Sequence, residues 1–397
     1  MIRKFESTSQ LLCIIWGTGL DNRERFARLM NFQKVDSVPY IPNFFAGAFN
    51  TMPEGSVTAN RWHVEGLPIW SSAADYFGTS FDVESVPVYL GMIPPFTAKT
   101  LYENEQYVIV QDGSGVKKKI FRRRSSLGAL QNWGMPQFLE FPVKYRSDWE
   151  RLRKRYDPED PRRLGVTLGD ELIDRFEETT SPVCVGITGL FGWCRSLMGL
   201  ENFLVSLYKD PGLIHDMMEF VAQFTVEVLE PVVETCRIDF GVLGEDMAYK
   251  NGPHMSPKHI KEFMVPNYKI QTDFLKKHGI DIVFLDSDGD VRLIIPLWLE
   301  AGINGTFPLE VMAGNDAVEL RKEYPRELRM VGNIDKFALI NGKEAVDKEL
   351  KYKLPFLLKE GGFIPAVDHG IPPEVPFEHY KYYMQQLKEY LEGYSQE

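Results

Sequence analysis

The sequence has few cysteines, no long apolar run and no excess of positive charge. Its 397 residues include four cysteines. They stand far apart without a CxxC pair, so the spacing supports neither a disulfide framework nor a cysteine zinc knuckle. No run approaches the roughly 20 apolar residues that a membrane-spanning helix needs. The net charge of −11 makes nucleic acid and anionic membrane surfaces poor partners. These absences favour a protein of the reducing cytoplasm.

Two short runs need an interpretation of their own. The apolar stretch LLCIIW at 11–16 is short and lacks a small-residue cleavage signature, so we interpret residues 1–20 as an N-terminal extension. The one dense basic run, KKKIFRRR at 117–124, is typical of a solvated hairpin strand.

From about residue 180 the chain repeats one pattern, in which an apolar β-type run is followed by a polar tip and an amphipathic helical stretch. Eight strand candidates result, at 37–44, 79–86, 182–188, 239–246, 281–289, 302–310, 328–335 and 363–370. Apolar strands separated by helices form parallel βα units. Eight such units predict a TIM (β/α)8 barrel, with residues 1–397 as a single domain. A doubly wound open sheet is the alternative, although no GxGxxG follows the first strand.

Residues about 88–145 interrupt the pattern inside the second βα connection. The segment YENEQYVIVQDGSGVKKKIFRR alternates like a β-hairpin, with DGSG at 112–115 as its turn. Connections of this length within a compact domain are usually functional. We therefore interpret the insertion either as a lid or, with equal weight, as a structural β-excursion on the rim.

Polar residues recur at the ends of the predicted strands. They are Glu245, Asp246, Asp286, Asp288, Glu310, Asn333, Asp335, Asp368 and His369. In a barrel the carboxyl ends of the strands converge on one crevice, so these tips predict the active site. Carboxylates in one crevice repel each other unless some are protonated, paired with Lys or Arg, or bound to a cation.

Some of these acids have a structural explanation. Asp290 and Asp335 are each better explained as the N-cap of the helix that follows. Asp286 and Asp288 are alternate residues of one strand end, and His369 ends the last strand, so we predict that these three share a site. Lys250 and His254 follow Glu245 and Asp246 in the chain, where they either neutralise the cluster or are ordinary rim residues.

Six segments resemble the uroporphyrinogen decarboxylase superfamily in order and spacing, over nearly the whole chain from Asn22. They are NRERFARLMNFQKVDSVP, ITGLFGW, EDMAYKNGPHMSP, KKHGIDIVFLDSDGDVRLIIPLWLEAGING, VGNIDK and GGFIPAVDHGIPPEVPFEHY. The resemblance implies a TIM barrel with its site at the carboxyl ends of the strands. The superfamily divides into decarboxylases of porphyrinogens and metal-dependent methyltransferases that serve corrinoid proteins.

This chain departs from the motifs of both branches, and these departures indicate which branch it resembles more. Porphyrinogen decarboxylases carry an arginine-rich loop of the form MRQAGR after the first strand, whereas the matching stretch here is NFFAGA at 43–48. The missing arginines argue against a substrate with many carboxylates, although His369-Gly370 resembles the decarboxylases' HG motif.

The methyltransferases of the superfamily hold zinc through an H-x-C-G motif and a second cysteine after the last strand. Here DSDG at 286–289 occupies the first position and His369 lies near the second. The resemblance therefore implies a divalent metal site, with zinc as the first candidate and a site without metal as the alternative. Its ligands would be Asp286, Asp288, His369 and Glu310.

We therefore expect a corrinoid-dependent methyltransferase that moves a methyl group between a small O-methyl or N-methyl compound and a separate corrinoid protein. The predicted catalytic residues are Asp246, His369 and Glu245. The predicted substrate-binding residues are Asn43, Phe44, Phe45, Trp193 and Lys250, although core packing explains the three aromatic residues equally well. The resemblance also implies a homodimer. One alternative is a decarboxylase or lyase acting on a small carboxylic acid, and another is a non-enzymatic binding protein.

Overall fold

The structure is a computed structural model that describes residues 19–40, 56–71, 73–78, 82–124, 130–164 and 169–394. The predicted N-terminal extension lies almost wholly outside these ranges. Asn43, Phe44 and Phe45 also lie outside the described residues, so their predicted contact with a substrate stays a prediction.

Seven parallel strands form one curled sheet, in which each strand pairs with the next one along the chain. They are Glu84–Val86 (β1), Val183–Ile187 (β6), Phe240–Gly244 (β7), Val283–Asp286 (β10), Gly305–Phe307 (β11), Arg329–Ile334 (β12) and Phe363–Val367 (β13). Seven of the eight predicted strands are thereby confirmed, in an α/β fold consistent with a TIM barrel. The remaining candidate, at 37–44, lies only partly within the described residues.

The strands are apolar because helices cover the sheet and bury them. Phe240, Phe284, Leu285 and Met330 are completely buried. The α-helices are Asn22–Met30, Val57–Glu65, Ala73–Phe77, Arg146–Leu152, Asp170–Glu178, Leu190–Met198, Leu200–Lys209, Pro211–Thr235, Pro257–His259, Val265–Lys277, Ile295–Glu300, Ala317–Glu323, Lys336–Asn341, Lys343–Glu360 and Phe377–Tyr394. No helix in the described ranges is long and apolar enough to cross a membrane.

The insertion between β1 and β6 is larger than the predicted hairpin. It forms a four-stranded antiparallel sheet of Lys99–Glu103 (β2), Tyr107–Gln111 (β3), Lys117–Arg124 (β4) and Leu130–Glu140 (β5). The predicted turn joins β3 to β4, where the Asp112 carboxylate accepts hydrogen bonds from the backbone N–H groups of Ser114 and Val116 at 3.0 and 3.1 Å. The basic run is strand β4, as predicted.

Of the two predicted caps at the strand ends, one is confirmed and one is wrong. Asp335 caps Lys336–Asn341, because its carboxylate accepts the Phe337 N–H at 2.8 Å. Asp290 does not cap a helix, since the next helix begins only at Ile295. The Asp290 carboxylate instead forms an ion pair with Arg292 at 2.8 Å.

Candidate metal centre and active site

Three of the four predicted metal ligands lie together at the carboxyl ends of the parallel strands. Asp288 follows β10, Glu310 follows β11 and His369 follows β13. Each offers one ligand atom, and these three atoms lie within 4.8 Å of one another. His369 Nε2 is 3.4 Å from Asp288 Oδ2. Two carboxylates and one imidazole on three separate loops therefore converge on one point.

The loop that carries Asp288 is held against the loop that carries Glu310. The Gly289 N–H donates to Glu310 Oε2 at 3.0 Å. The Asn315 side-chain amide donates to the carbonyl oxygens of Gly289 and Glu310 at 2.8 and 3.0 Å. Because Gly289 has a φ of +83° and a Cβ there would lie 2.6 Å from the carbonyl carbon of Ala248, only glycine fits this approach without strain. The two carboxylates are thus placed before any ligand binds.

Lys336 supplies the positive charge beside Glu310. Its Nζ lies 3.3 Å from Glu310 Oε1 and 3.6 Å from Asp368 Oδ1. Asp368 is completely buried, and its carboxylate accepts the backbone N–H groups of Val311 and Lys336 at 2.9 and 3.1 Å. Burial raises the pKa of Asp368, while Lys336 lowers it. Asp368 therefore fixes the end of β13 to the loop next to Glu310, which positions His369.

His369 and Asp288 form a half-exposed pair. The hydrogen bond to Asp288 raises the pKa of His369, although burial opposes this shift. A cation bound between the two side chains would displace the imidazole proton, because metal ligation requires neutral imidazole.

Asp286, the fourth predicted ligand, is not part of the three-residue cluster. It ends β10, and its carboxyl group makes no hydrogen bond or ion pair to any residue that the structure describes. Burial, followed by the nearby charges of Asp246 and Asp288, raises the pKa of Asp286 to about 8, while His369 lowers it. The repulsion among the strand-end acids is thus offset at this position by a proton.

Glu245, predicted as catalytic, is directed into the protein interior. It is 2% exposed. Its carboxylate accepts the backbone N–H groups of Leu190 and Gly192 at 2.6 and 2.7 Å, together with the Tyr268 hydroxyl. Burial raises the pKa of Glu245 to about 7, against the lowering effect of these hydrogen bonds. This geometry explains Glu245 by its contact with the N-terminus of Leu190–Met198.

Asp246 is exposed at the strand ends and is paired with a cation, Arg195, that sequence reasoning missed. Arg195 Nη2 is 3.1 Å from Asp246 Oδ2, and Arg195 Nη1 donates to the Asp246 carbonyl oxygen at 3.0 Å. The two residues are 51 positions apart in the chain, so no local pattern could have linked them. Lys250, the predicted neutralising residue, is exposed between the short strands Ala248–Tyr249 (β8) and Gly252–Pro253 (β9). It makes no ion pair with any described residue.

Trp193 contacts other aromatic side chains. Its ring meets those of Trp149 and Tyr156 edge to face, with centroids 5.5 and 5.6 Å apart. Its indole N–H donates to the Tyr156 hydroxyl at 3.2 Å. Core packing thus accounts for Trp193, and its predicted role in substrate binding stays a prediction.

The family assignment follows from the sequence over most of this sheet. The family model for uroporphyrinogen decarboxylase (URO-D) matches residues 129–390, which include every strand of the parallel sheet except β1. The chain belongs to the uroporphyrinogen decarboxylase family. Proteins named uroporphyrinogen decarboxylase share limited sequence identity with this chain. The uroporphyrinogen decarboxylase of Rickettsia africae is 33% identical over 90 residues, or 22% of this chain and 26% of that protein.

A longer match is weaker in identity. The uroporphyrinogen decarboxylase of Rickettsia bellii is 22% identical over 281 residues, or 64% of this chain and 77% of that protein.

Among solved structures, a methyltransferase from Methanosarcina mazei has a TM-score of 0.55 at 17% identity, covering 94% of this chain and 99% of that one. At such identity the likeness shows that the two chains share a fold.

Proposed function

We propose that this member of the family is a metal-dependent methyltransferase that passes a methyl group from a small O-methyl or N-methyl compound to a corrinoid carried by a separate protein. The observation that carries the proposal is the convergence of Asp288, Glu310 and His369 within 4.8 Å. The fold shared with the Methanosarcina mazei methyltransferase supports it.

The donor set fits a catalytic metal site. Three protein ligands that leave further positions open are typical of catalytic zinc, and a histidine with two carboxylates also suits manganese or iron. Asp288, Glu310 and His369 would hold the ion. When bound, a divalent cation would act as a Lewis acid on the atom that loses the methyl group.

The remaining residues would handle charge and protons. Asp286 lies next to the cluster with no partner among the described residues, so its carboxyl group is placed to give a proton to the leaving oxygen or nitrogen. Lys336 keeps Glu310 oriented through the 3.3 Å contact. In this proposal, a separate partner protein supplies the corrinoid.

The test is a methyl-transfer assay with reduced corrinoid protein and a panel of methoxyaromatic compounds and methylamines. The absorbance of the corrinoid reports its methylation. We expect methylation of the corrinoid with at least one donor, and loss of that activity in Asp288→Ala. Asp290→Ala, which removes an acid of the same loop that pairs with Arg292, is the matched control and should stay active. Failure with every donor would count strongly against the proposal.

A second candidate is a decarboxylase or lyase that acts on a small carboxylic acid. The raised pKa of Asp286 favours it, because a carbanion left by loss of carbon dioxide needs a proton donor of this kind. This candidate predicts release of carbon dioxide without any corrinoid, whereas methyl transfer requires one. Measuring carbon dioxide release in the same panel discriminates between the two.

A further inference from the structure

Arg195 is a partly exposed cation at the strand ends, and it has unused hydrogen-bond donors. A guanidinium group has five N–H donors, and Arg195 uses two of them, for the carbonyl oxygen and the carboxylate of Asp246. Its side chain is 34% exposed. It makes no other hydrogen bond to the residues that the structure describes. Three N–H groups therefore remain without a partner among the described residues, and guanidinium N–H groups form strong charge-assisted hydrogen bonds with a carboxylate.

Three aromatic side chains lie beside this guanidinium group. Arg195 lies over the Phe191 ring at 5.7 Å, and the His254 ring stacks on the same ring with centroids 5.8 Å apart. Burial lowers the pKa of His254 and Arg195 lowers it further, while Asp246 raises it, and together these effects favour the neutral imidazole. Tyr249, with its ring centroid 6.4 Å from that of His254, is 64% exposed. The Phe191 ring is itself completely buried, so the aromatic surfaces that remain open to a ligand beside Arg195 are those of His254 and Tyr249.

The position of Arg195 links it to the candidate metal centre. Asp246, its partner, follows β7, the strand next to β10, and the Asp246 backbone N–H donates to the Asp286 carbonyl oxygen at 3.4 Å. A row of neighbouring residues therefore crosses the strand ends. It runs from Arg195 through Asp246, Asp286 and Asp288 to His369. A ligand held by Arg195 would extend along this row toward the metal ligands.

We propose that Arg195 is the anchor for a carboxylate of the substrate, so that this site takes small acids, with a planar ring next to the carboxylate, in preference to neutral compounds. Asp246 holds the guanidinium group in place and moderates its charge. The inference rests on the proposed active site and names its substrate class. It applies to methyl transfer and to the second candidate reaction alike.

The experiment is isothermal titration of the full chain, treated with a chelator, with 4-methoxybenzoate and with its amide, 4-methoxybenzamide. Removal of metal ensures that the carboxylate cannot bind to an ion instead of to Arg195. We expect the acid to bind at least about ten-fold more tightly than the amide, the size expected of one charge-assisted interaction. In Arg195→Gln this preference should fall to about two-fold or less.

Two further variants make the result specific. Arg292→Gln removes a guanidinium group that pairs with an aspartate at the same edge of the sheet, and it should keep the preference for the acid. Asp246→Asn removes the competing charge from Arg195 and should increase the affinity for the acid several-fold. A purely structural Arg195–Asp246 pair predicts no such gain.

Several outcomes would overturn the inference. These are equal affinity for acid and amide, no binding of the acid, survival of the preference in Arg195→Gln, or weaker acid binding in Asp246→Asn. The titration contains no corrinoid and measures no turnover, so it fails or succeeds independently of the methyl-transfer assay.

Discussion

The carboxylates at the strand ends have their charge offset in several ways. Glu310 and Asp368 share Lys336, Asp246 is paired with Arg195, and Asp288 is paired with His369. The charge of Asp286 is instead removed by a bound proton. Like charges are tolerated at this edge of the sheet because each of these acids is either paired with a cation or protonated.

Removal of Lys336 should destabilise the protein. Lys336→Met leaves the completely buried Asp368 without its cation and Glu310 without its contact, and breaking a buried pair costs about 3 kcal/mol. The free energy of unfolding in urea measures this loss. Lys322→Met, which breaks the exposed pair with Glu319, is the control and should cost less than about 1 kcal/mol. Equal losses of unfolding free energy in the two variants would show that Lys336 does not stabilise the buried Asp368.

Glu245 should make stability depend on pH. Its pKa is about 7 in the folded chain, against an ordinary value of 4.5, so the folded state binds more protons between these values. Its contribution to stability is therefore fully present at low pH and is lost as pH rises from about 4.5 through 7, by about 3 kcal/mol in total.

The measurement is the difference in free energy of unfolding between the wild type and Glu245→Gln from pH 5 to pH 8. The wild type should lose stability relative to the variant as pH rises. Parallel curves for the two proteins would show that Glu245 has an ordinary pKa in the folded state.

At the level of whole elements, the parallel strands were predictable because burial on both faces leaves a continuous apolar run in the sequence. The edge strands of the inserted sheet were not. Strand β2 is exposed along its whole length and so shows no alternation, and β5 contains Gly134 and Pro136. Asp290 was misassigned because a turn, 292–294, separates it from the helix it was expected to cap.

The site was predictable to the same degree as its elements. The pattern of polar tips identified Asp288, Glu310 and His369, because strand order fixes which edge of the sheet they share. It did not identify Arg195 or Lys336 as partners. Those contacts depend on side-chain directions between residues that are 51 and 26 positions apart.

The loop between β10 and the next helix should tolerate no side chain at Gly289. In Gly289→Ala the new methyl group would meet the backbone of Ala248 and the positive φ would be strained, so we expect a loss of about 2 kcal/mol or more in stability. The displaced loop carries Asp288, so zinc and manganese affinity, measured by titration, should fall as well.

Gly279→Ala is the matched control for that variant. Gly279 has a similar φ of +79°, but nothing lies within 4 Å of its added Cβ. This control should cost about 1 kcal/mol and leave metal affinity unchanged. If Gly289→Ala behaves in the same way, the contact with Ala248 does not position Asp288.

Across the molecule, the two edges of the parallel sheet differ in what their charged residues do. At the amino-terminal edge, the buried Arg23 pairs with Asp239 at 2.8 Å and donates to the carbonyl oxygens of Phe176 and Arg237. All of these contacts are internal, as expected for residues that stabilise a barrel. At the carboxyl-terminal edge, the charged groups lie close to one another, and Arg195 and Asp286 keep polar groups without a partner among the described residues.

The most direct test of this account is the metal content of the freshly purified chain, measured by mass spectrometry and again after addition of zinc, manganese or iron. The account predicts close to one divalent ion per chain in the wild type and in Asp290→Ala. It predicts loss of that ion in the Asp288→Ala/Glu310→Ala double variant, with the fold retained by circular dichroism. No bound metal in the wild type under any of these conditions, or equal metal in the double variant, would contradict it.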